Sequence, residues 1–194
     1  MGKPGEPPKW IKPKFTRIAD EAPAGNDWLH EIKYDGCRMH ARLDRGKVQL
    51  LTRTGLDWSR RYPRTIEALR SLPVKTAYLD GELCALSPDG VPAFSRLQAA
   101  MDEGRTDELV LFVFDLLFLD GEITAHLPLT ERKERLQRVF PRKSAVCATA
   151  IISRATVLDF ASRPVRWGWR VSPRSGSTGP TRRATVGSGS SPSV

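Results

Sequence analysis

The chain has 194 residues and a net charge of +9, which suits one globular domain with polyanionic partners such as nucleotides or nucleic acid. No apolar run approaches the roughly 20 residues that cross a bilayer, which argues against a transmembrane helix. Three scattered cysteines without a CxxC pair argue against a disulfide framework and a zinc ribbon, and they predict a cytoplasmic protein.

A Pro/Lys-rich leader at residues 1–14 is expected to be irregular. After it, hydrophobic periodicity and turn residues divide the chain into short strands and helices. In chain order these are strands Trp28–Tyr34, Arg38–Leu43 and Lys47–Thr52, helix Tyr62–Leu72, strands Thr76–Leu79 and Glu82–Leu86, helix Phe94–Met101, strand Leu109–Leu119, helix Thr130–Phe140 and strand Ala148–Arg154. Asp80 and Gly81 are predicted to form the turn between two of these strands.

Residues 15–161 contain all of these elements, which together predict an α/β domain of antiparallel sheets with flanking helices. From residue 162 to residue 194 the chain is dominated by Ser, Gly, Arg, Pro and Thr, without usable periodicity. So few apolar residues cannot bury a core of their own. Residues 162–194 are therefore expected to form a disordered tail.

The segment Glu31–Arg38 places a lysine between strand-like flanks and a tight Asp-Gly turn. A lysine becomes a good nucleophile when a partly desolvated site or a neighbouring cation favours loss of its proton. A strand followed by a glycine-containing turn would hold the Lys33 amine at the mouth of a pocket. The same eight residues also fit an ordinary surface hairpin, and taken alone they do not separate the two interpretations.

Three further segments carry side chains that suit a nucleotide pocket. Arg53 offers a cation for ribose or phosphate, Glu82 offers a carboxylate for a divalent metal, and Phe112 or Phe114 offers an aromatic face for a base. Each also has a common structural explanation, as a surface charge, a solvated turn or core packing. Asp115 is harder to explain, because an acid within an apolar strand needs a partner or a surface position. The occurrence of all these segments in one chain favours the functional interpretation.

The motif order KxDGxR, RxG, DGE and FVFD resembles the nucleotidyltransferase motifs of ATP-dependent DNA ligases. The flanking residues Asp27–His30 and Leu50–Trp58 resemble the bacterial non-homologous end-joining branch, and the likeness runs from about Phe15 to Phe160. The resemblance implies the nucleotidyltransferase fold of ligases and capping enzymes, incomplete at the C-terminus. It makes residues 15–161 a partial adenylation domain.

By this resemblance, Lys33 would attack the α-phosphate of ATP, release pyrophosphate and hold AMP through a phosphoamide bond, with Mg²⁺ as the metal. The AMP would pass to a 5′-phosphate at a nick or break in double-stranded DNA. A 3′-hydroxyl would then displace it and join the strands, in DNA repair and recombination. The implied contacts are the Glu31 backbone and Phe114 for adenine, with Phe112 as second choice, Arg38 and Arg53 for the ribose, and Glu82 for the ribose and the metal.

Two lysine-bearing strands of the family pattern, EGhhhK and KxK, do not occur after Phe160. The tail can be back-translated into codons and then read in a shifted frame, in which the third base of each codon is joined to the first two bases of the next. In that frame Trp167–Arg174 is compatible with M-G-L-E-G-V-A-K. The same shift makes Ala184–Val194 compatible with D-R-G-L-W-V-K-S-K-C. We infer a change of reading frame near Ser162–Val165, so that the tail is out of frame and catalysis by this chain is impaired.

Two alternatives stay open. An RNA ligase or mRNA-capping nucleotidyltransferase shares the KxDG chemistry, and the choice of ATP against GTP, together with the strand that is joined, would distinguish it. A non-catalytic remnant that binds nucleotide or DNA is favoured by the loss of the lysine strands. In that case AMP transfer fails, while positive charge still attracts DNA.

Overall fold

A computed structural model describes residues 5–13, 17–19, 28–140, 147–149, 168–173 and 182–184. Its helices are α1 (Pro63–Arg70), α2 (Phe94–Asp102) and α3 (Leu129–Val139). Its strands are β1 (Arg17–Ala19), β2 (Trp28–Lys33), β3 (Cys37–Asp44), β4 (Lys47–Thr52), β5 (Thr76–Cys84), β6 (Val110–Leu119), β7 (Glu122–Ile123), β8 (Cys147–Thr149), β9 (Gly168–Pro173) and β10 (Arg182–Ala184). No helix in these ranges has both the length and the apolar character that crossing a membrane requires.

The larger sheet has the strand order β4–β3–β5–β6–β7, in which all neighbours are antiparallel, and β8 pairs parallel with β6. Strands β3 and β4 form a hairpin that turns at Arg45 and Gly46, which both have positive φ. The predicted α/β class, with antiparallel sheets and flanking helices, is confirmed. Of the strand predicted at Ala148–Arg154, residues 148–149 belong to β8 and the remainder lies outside the described residues.

One face of this sheet carries the hydrophobic core, because apolar side chains alternate along its strands. Each helix adds an apolar stripe to the same core, through Leu69 of α1, Leu97 of α2 and Leu136 of α3. The strand residues of the core include Met39, Ala41, Leu43, Leu50, Leu79, Leu83, Leu111, Val113 and Leu116. The face of the sheet opposite this core is called the outer face below.

Strand β5 runs without interruption through Asp80 and Gly81, so the turn predicted at these two residues is wrong. All nine residues of β5 are buried. Gly81 allows the close approach of β6, because a Cβ at this position would stand 2.8 Å from the carbonyl oxygen of Phe112. The Asp-Gly pair, which usually marks a turn, is here explained by this close approach and by a buried ion pair of Asp80.

Strand β6 is bulged where it pairs with β5. Asp80 pairs with Asp115 and Gly81 pairs with Val113, which leaves Phe114 as an extra residue in the ladder. A second irregularity follows nearer the C-terminal end of β6. A bulge bends its strand and changes the direction of a side chain, so Phe114 does not follow the regular alternation of β6.

Residues 5–13, which we call the strap, have no regular secondary structure and pack on the outer face of the sheet. Arg42 of β3 holds the strap by donating hydrogen bonds to the carbonyl oxygens of Pro7 and Pro8, each at 3.1 Å. Its guanidinium also forms an ion pair with Glu6 at 3.3 Å. These contacts bury the Arg42 side chain, which is 7% exposed.

A separate four-stranded sheet has the order β1–β10–β9–β2. Strand β9 pairs antiparallel with both β2 and β10, and β1 runs parallel to β10. This sheet belongs to a second unit of the chain, residues 14–33 and 152–194. Strands β9 and β10 lie within the segment predicted to be an out-of-frame disordered tail. The rest of that segment lies outside the described residues, and the predicted domain boundaries stay a prediction.

We expect Gly81→Ala to lower the free energy of unfolding by about 1–3 kcal/mol, because the new methyl group would overlap the Phe112 carbonyl. Gly90→Ala is the control, since a Cβ at Gly90 would meet nothing within 4 Å and only its positive φ of +79° opposes the change. Urea unfolding of both variants measures the difference. An equal decrease in the free energy of unfolding of the two variants would show that Gly81 does not pack against β6.

Candidate active site

Polar and aromatic side chains line up across β3, β5 and β6 on the outer face. Arg38 pairs in register with Glu82, and Glu82 pairs with Phe112. Because cross-strand partners project from the same side of a sheet, these three side chains form one row. His40 and Asp80 form the next row. The structure thus brings together Arg38 and Glu82, which the sequence predicts as nucleotide contacts, and Phe112, the second choice for adenine.

A bidentate ion pair fixes the direction of Arg38. Its Nε and Nη2 atoms lie 2.5 and 2.6 Å from the two carboxylate oxygens of Asp80. Burial by itself would raise the pKa of Asp80, but hydrogen bonds from His40 and the charge of Arg38 outweigh burial and hold this pKa below its usual range. Burial would lower the pKa of Arg38, and the adjacent Asp80 carboxylate raises it instead. The pair is therefore ionised at neutral pH, where charge-assisted hydrogen bonds are strongest.

A chain of polar contacts, two of them hydrogen bonds, connects this ion pair to the strap. His40 Nε2 lies 3.3 Å from Asp80 Oδ1, His40 Nδ1 lies 2.8 Å from the Tyr78 hydroxyl oxygen, and the Ile11 N–H donates to that hydroxyl at 3.0 Å. Burial raises the pKa of Tyr78 to about 12, so the hydroxyl keeps its proton and can donate it to Nδ1. The Nε2–H of His40 then faces Asp80. The strap backbone, Tyr78, His40 and Asp80 therefore follow one another in contact up to Arg38.

Two aromatic side chains of β6 belong to this part of the sheet, Phe112 within the row and Phe114 against Arg38. The guanidinium carbon of Arg38 lies 4.5 Å from the centroid of the Phe114 ring, a cation–π contact, and Phe114 is 6% exposed. The Phe112 ring stacks on Tyr34 with a centroid distance of 4.2 Å and an interplanar angle of 15°. A base stacked on Phe114 would have to use a part of the ring that Arg38 does not cover. The assignment of adenine to Phe114 stays a prediction.

Glu82 is the candidate metal ligand, and its side chain is largely buried. Burial, aided by the Glu82 charge, raises the pKa of the Cys37 and Cys84 thiols. The described ranges contain no group of three or more His, Cys, Asp or Glu side chains that could hold a metal ion by itself. Mg²⁺ is commonly held by one or two carboxylates together with waters and substrate phosphates. Glu82 fits that arrangement, in which phosphate oxygens complete the coordination.

Arg53 lies in the turn that follows β4, next to the end of β4 that pairs with the beginning of β3. Gly55 in the same turn has a φ of +86°, a conformation that favours glycine. The Trp10 ring of the strap lies 3.2 Å from the position that a Cβ of Gly55 would occupy. The strap therefore contacts the turn that carries Arg53 as well as Tyr78, the first member of the chain of polar contacts that ends at Arg38.

The remaining two predicted site residues, Glu31 and Lys33, lie on β2 of the smaller sheet. They are in register with Arg170 and Gly168 of β9, respectively. Glu31 is buried and Lys33 is half-buried. Lys33 is the last residue of β2 and precedes Arg38 by five residues in the sequence. The roles of these two residues stay predictions.

Three buried polar side chains of this arrangement, His40, Tyr78 and Asp80, are not predicted from the sequence. A signal for them exists, because polar residues alternate with apolar ones along both Arg38–Leu43 and Thr76–Glu82. Alternation of this kind predicts one polar face per strand. It does not reveal that the polar face is covered, since such a face usually points to solvent.

Comparisons with known proteins agree with the motif order. A family model described as the ATP-dependent DNA ligase domain matches residues 13–162. The chain is 40% identical over 130 residues to the multifunctional non-homologous end joining protein LigD of Pseudomonas aeruginosa, covering 67% of this chain and 15% of that protein. It is similar to the crystal structure of the ligase domain from M. tuberculosis LigD, with a TM-score of 0.66 and 25% identity. It shares its fold with a mycobacterial DNA ligase D complexed with ATP, with a TM-score of 0.61 and 24% identity.

The chain spans only part of these relatives. The two structural alignments each cover 89% of this chain, but 56% of the M. tuberculosis ligase domain and 57% of the ATP complex. The family model nevertheless covers every site residue that the sequence predicts, from Glu31 to Phe114. These findings confirm the resemblance to the end-joining ligases and the fold that it implies.

We expect Tyr78→Phe to remove a phenol titration near pH 12. The pKa of Tyr78 in the folded state, about 12, lies above the usual value of about 10. The protonated hydroxyl therefore stabilises the fold fully below pH 10, and this stabilisation is lost as the pH rises through 12. The variant should lose about 1–3 kcal/mol at neutral pH, because it breaks the bonds to Ile11 and His40.

Phenolate absorbance of the wild type and the variant, followed from neutral pH to well above pH 12, tests this expectation. The chain has three tyrosines, so the variant should lose one third of the total phenolate absorbance. Urea unfolding over the same pH range should show a smaller alkaline loss of stability in the variant. An unchanged alkaline titration in Tyr78→Phe would mean that another tyrosine carries the high pKa.

Proposed function

The chain belongs to the ATP-dependent DNA ligase family, and from this premise we propose that it is the adenylation region of an enzyme that joins DNA strands through a lysyl-AMP intermediate. The observation that carries the proposal is the row formed by Arg38, Glu82 and Phe112, with Phe114 beside it. The row combines a fixed cation, a carboxylate and aromatic surface, which are the groups that a magnesium nucleotide requires.

In the proposed first step, the Lys33 amine attacks the α-phosphorus of ATP. A P–N bond forms, the P–O bond to the β-phosphate breaks, and pyrophosphate leaves while the amine loses a proton. The AMP group then passes to the 5′-phosphate of a DNA strand, which regenerates the Lys33 amine. The 3′-hydroxyl of the neighbouring strand attacks that phosphate, releases AMP and seals the backbone.

Arg38 supports this chemistry as a preorganised cation. Because Asp80 engages its Nε and Nη2 atoms, Nη1 is the atom that Arg38 would present to a ribose or phosphate oxygen. Phosphoryl transfer depends chiefly on positioning and on stabilising charge, so a guanidinium that is already fixed loses little entropy on binding. Arg53 would add a second cation from the turn after β4.

Glu82 would hold Mg²⁺ together with oxygens of the triphosphate. When bound, the metal ion neutralises charge that develops on the phosphates. Phe114 would contact adenine, with Phe112 as the second choice, and the backbone of Glu31 would recognise the base. A mycobacterial relative of this fold is described as complexed with ATP, which supports ATP as the nucleotide.

The proposed substrate is nicked or broken double-stranded DNA, in repair or recombination within the cytoplasm. The P. aeruginosa relative is named for non-homologous end joining, and the net charge of +9 suits a polyanionic partner. The chain in its present reading frame is proposed to be catalytically impaired. The two lysine strands of the family pattern do not occur after Phe160, and a shift of the frame near Ser162–Val165 makes the codons of the tail compatible with both.

Self-adenylylation with α-labelled ATP and Mg²⁺ tests the proposal on the present chain and on a version with the frame restored near residue 163. We expect the restored protein to be labelled and the present chain to be labelled at least about 100-fold less, because charge stabilisation at the α-phosphate is lost. Lys33→Ala in the restored protein should abolish labelling. Lys47→Ala, at an exposed lysine, should retain it.

The outcomes separate the alternatives. Labelling of the restored protein that survives Lys33→Ala would remove Lys33 as the nucleophile. Equal labelling of both versions would show that the present chain is not impaired. Binding of ATP by the present chain without labelling of either version would support a non-catalytic remnant.

A further inference from the structure

Lys133 of α3 is a buried cation to which the proposed chemistry assigns no role. Its side chain is almost entirely removed from solvent. The Nζ atom donates a hydrogen bond to the carbonyl oxygen of Phe114 and lies 5.9 Å from the centroid of the Phe114 ring. Burying an ammonium group is unfavourable unless it is well bonded, so this position calls for an explanation.

The carbonyl that Lys133 binds belongs to the extra residue of the β6 bulge. Phe114 falls between the pairs that join Asp115 to Asp80 and Val113 to Gly81. An extra residue of this kind leaves the regular ladder, so side-chain hydrogen bonds must help to define its conformation. Lys133 supplies such a bond from outside the sheet.

The neighbouring residue of α3 holds the other side of the bulge. Arg132 forms a bidentate ion pair with Asp115, with distances of 2.8 and 3.0 Å, and also donates to the carbonyl oxygen of Leu127. Two consecutive side chains of one helix therefore bind two consecutive residues of β6. Together these contacts tie α3 to the bulge at the Phe114 carbonyl and the Asp115 carboxylate.

We propose that Lys133 is a positioning residue for nucleobase recognition. By binding the Phe114 carbonyl it keeps the bulge in one conformation, and this holds the part of the ring that Arg38 does not cover in place for an adenine. The inference rests on the proposed function, in which Phe114 contacts the adenine of ATP. Lys133 acts through Phe114 and has no part in holding the phosphates.

Lys133 should therefore affect the binding of the base and not the binding of the triphosphate. Loss of Lys133 should weaken the binding of ATP, because the stacking surface is no longer held in place. It should leave the binding of tripolyphosphate, which has no base, unchanged. Loss of one stacked aromatic contact typically weakens nucleotide binding by about 5- to 100-fold. A merely structural role for Lys133 would weaken both ligands together.

Calorimetric titration of the purified chain with ATP and with tripolyphosphate, both in Mg²⁺, tests the proposal. We expect Lys133→Met to raise the Kd for ATP about tenfold and to change the Kd for tripolyphosphate less than twofold. Lys133→Arg, which keeps a charged donor, should restore most of the ATP affinity. Arg138→Met is the matched control, since it removes one positive charge from the same helix at an exposed position.

A double-mutant cycle with Phe114→Leu tests whether Lys133 acts through the ring. Lys133→Met should have no further effect on ATP binding once Phe114 is replaced. A persistent effect in that background, or an equal loss of affinity for both ligands, would overturn the inference. So would unchanged ATP binding in Lys133→Met. Where Lys133→Met does not melt cooperatively, Lys133→Gln, whose shorter side chain withdraws the donor, replaces it under the same criteria.

The wild-type titration distinguishes this inference from the function on which it rests. Failure of the wild-type chain to bind ATP would overturn the proposed nucleotide site, and the role of Lys133 with it. Normal ATP binding by the wild type together with any of the overturning results above would remove the role of Lys133 and leave the nucleotide site standing.

Discussion

The ion pair between Arg38 and Asp80 is the contact on which the larger unit depends. Its carboxylate lies in a sheet with core helices on one face and the strap on part of the other, so little water reaches it. A carboxylate in such a place must be paired and hydrogen-bonded. Strand β3 therefore has to meet β5 in the register that brings Arg38 and His40 to Asp80. The same register sets Glu82 beside Arg38, so satisfying one buried charge also assembles the candidate site.

The bulge in β6 allows this strand to place apolar side chains in the core and also to place Phe114 against Arg38. Val113 and Leu116 both belong to the core although they are three residues apart, a spacing that a regular strand does not allow. The extra residue between them lets both face the core and frees Phe114 to contact Arg38. Bulges are frequent beside functional sites for this reason.

The sequence predicts most of the larger sheet and the three helices, because apolar alternation and helical periodicity depend on near neighbours in the chain. It also predicts Arg38 and Glu82 as members of one site, from the order of their motifs. It fails at Asp80 and Gly81, where local turn preference is overridden by strand packing. Lys133 could not be predicted either, since its partner lies 19 residues earlier on another element. Such contacts are properties of the fold and leave little trace in local sequence.

The strap also has a mechanical consequence. Its contacts follow one another along the chain, with Arg42 binding Glu6, Pro7 and Pro8 before Ile11 reaches Tyr78. A pulling force applied at the N-terminal side of the strap would first act on the hydrogen bonds and the ion pair of Arg42. Only after these contacts had broken would the force act on the hydrogen bond from Ile11 to Tyr78 and on the bond from Tyr78 to His40. Arg42 would therefore bear a force on residues 1–4 before that force reached the polar contacts of the candidate site.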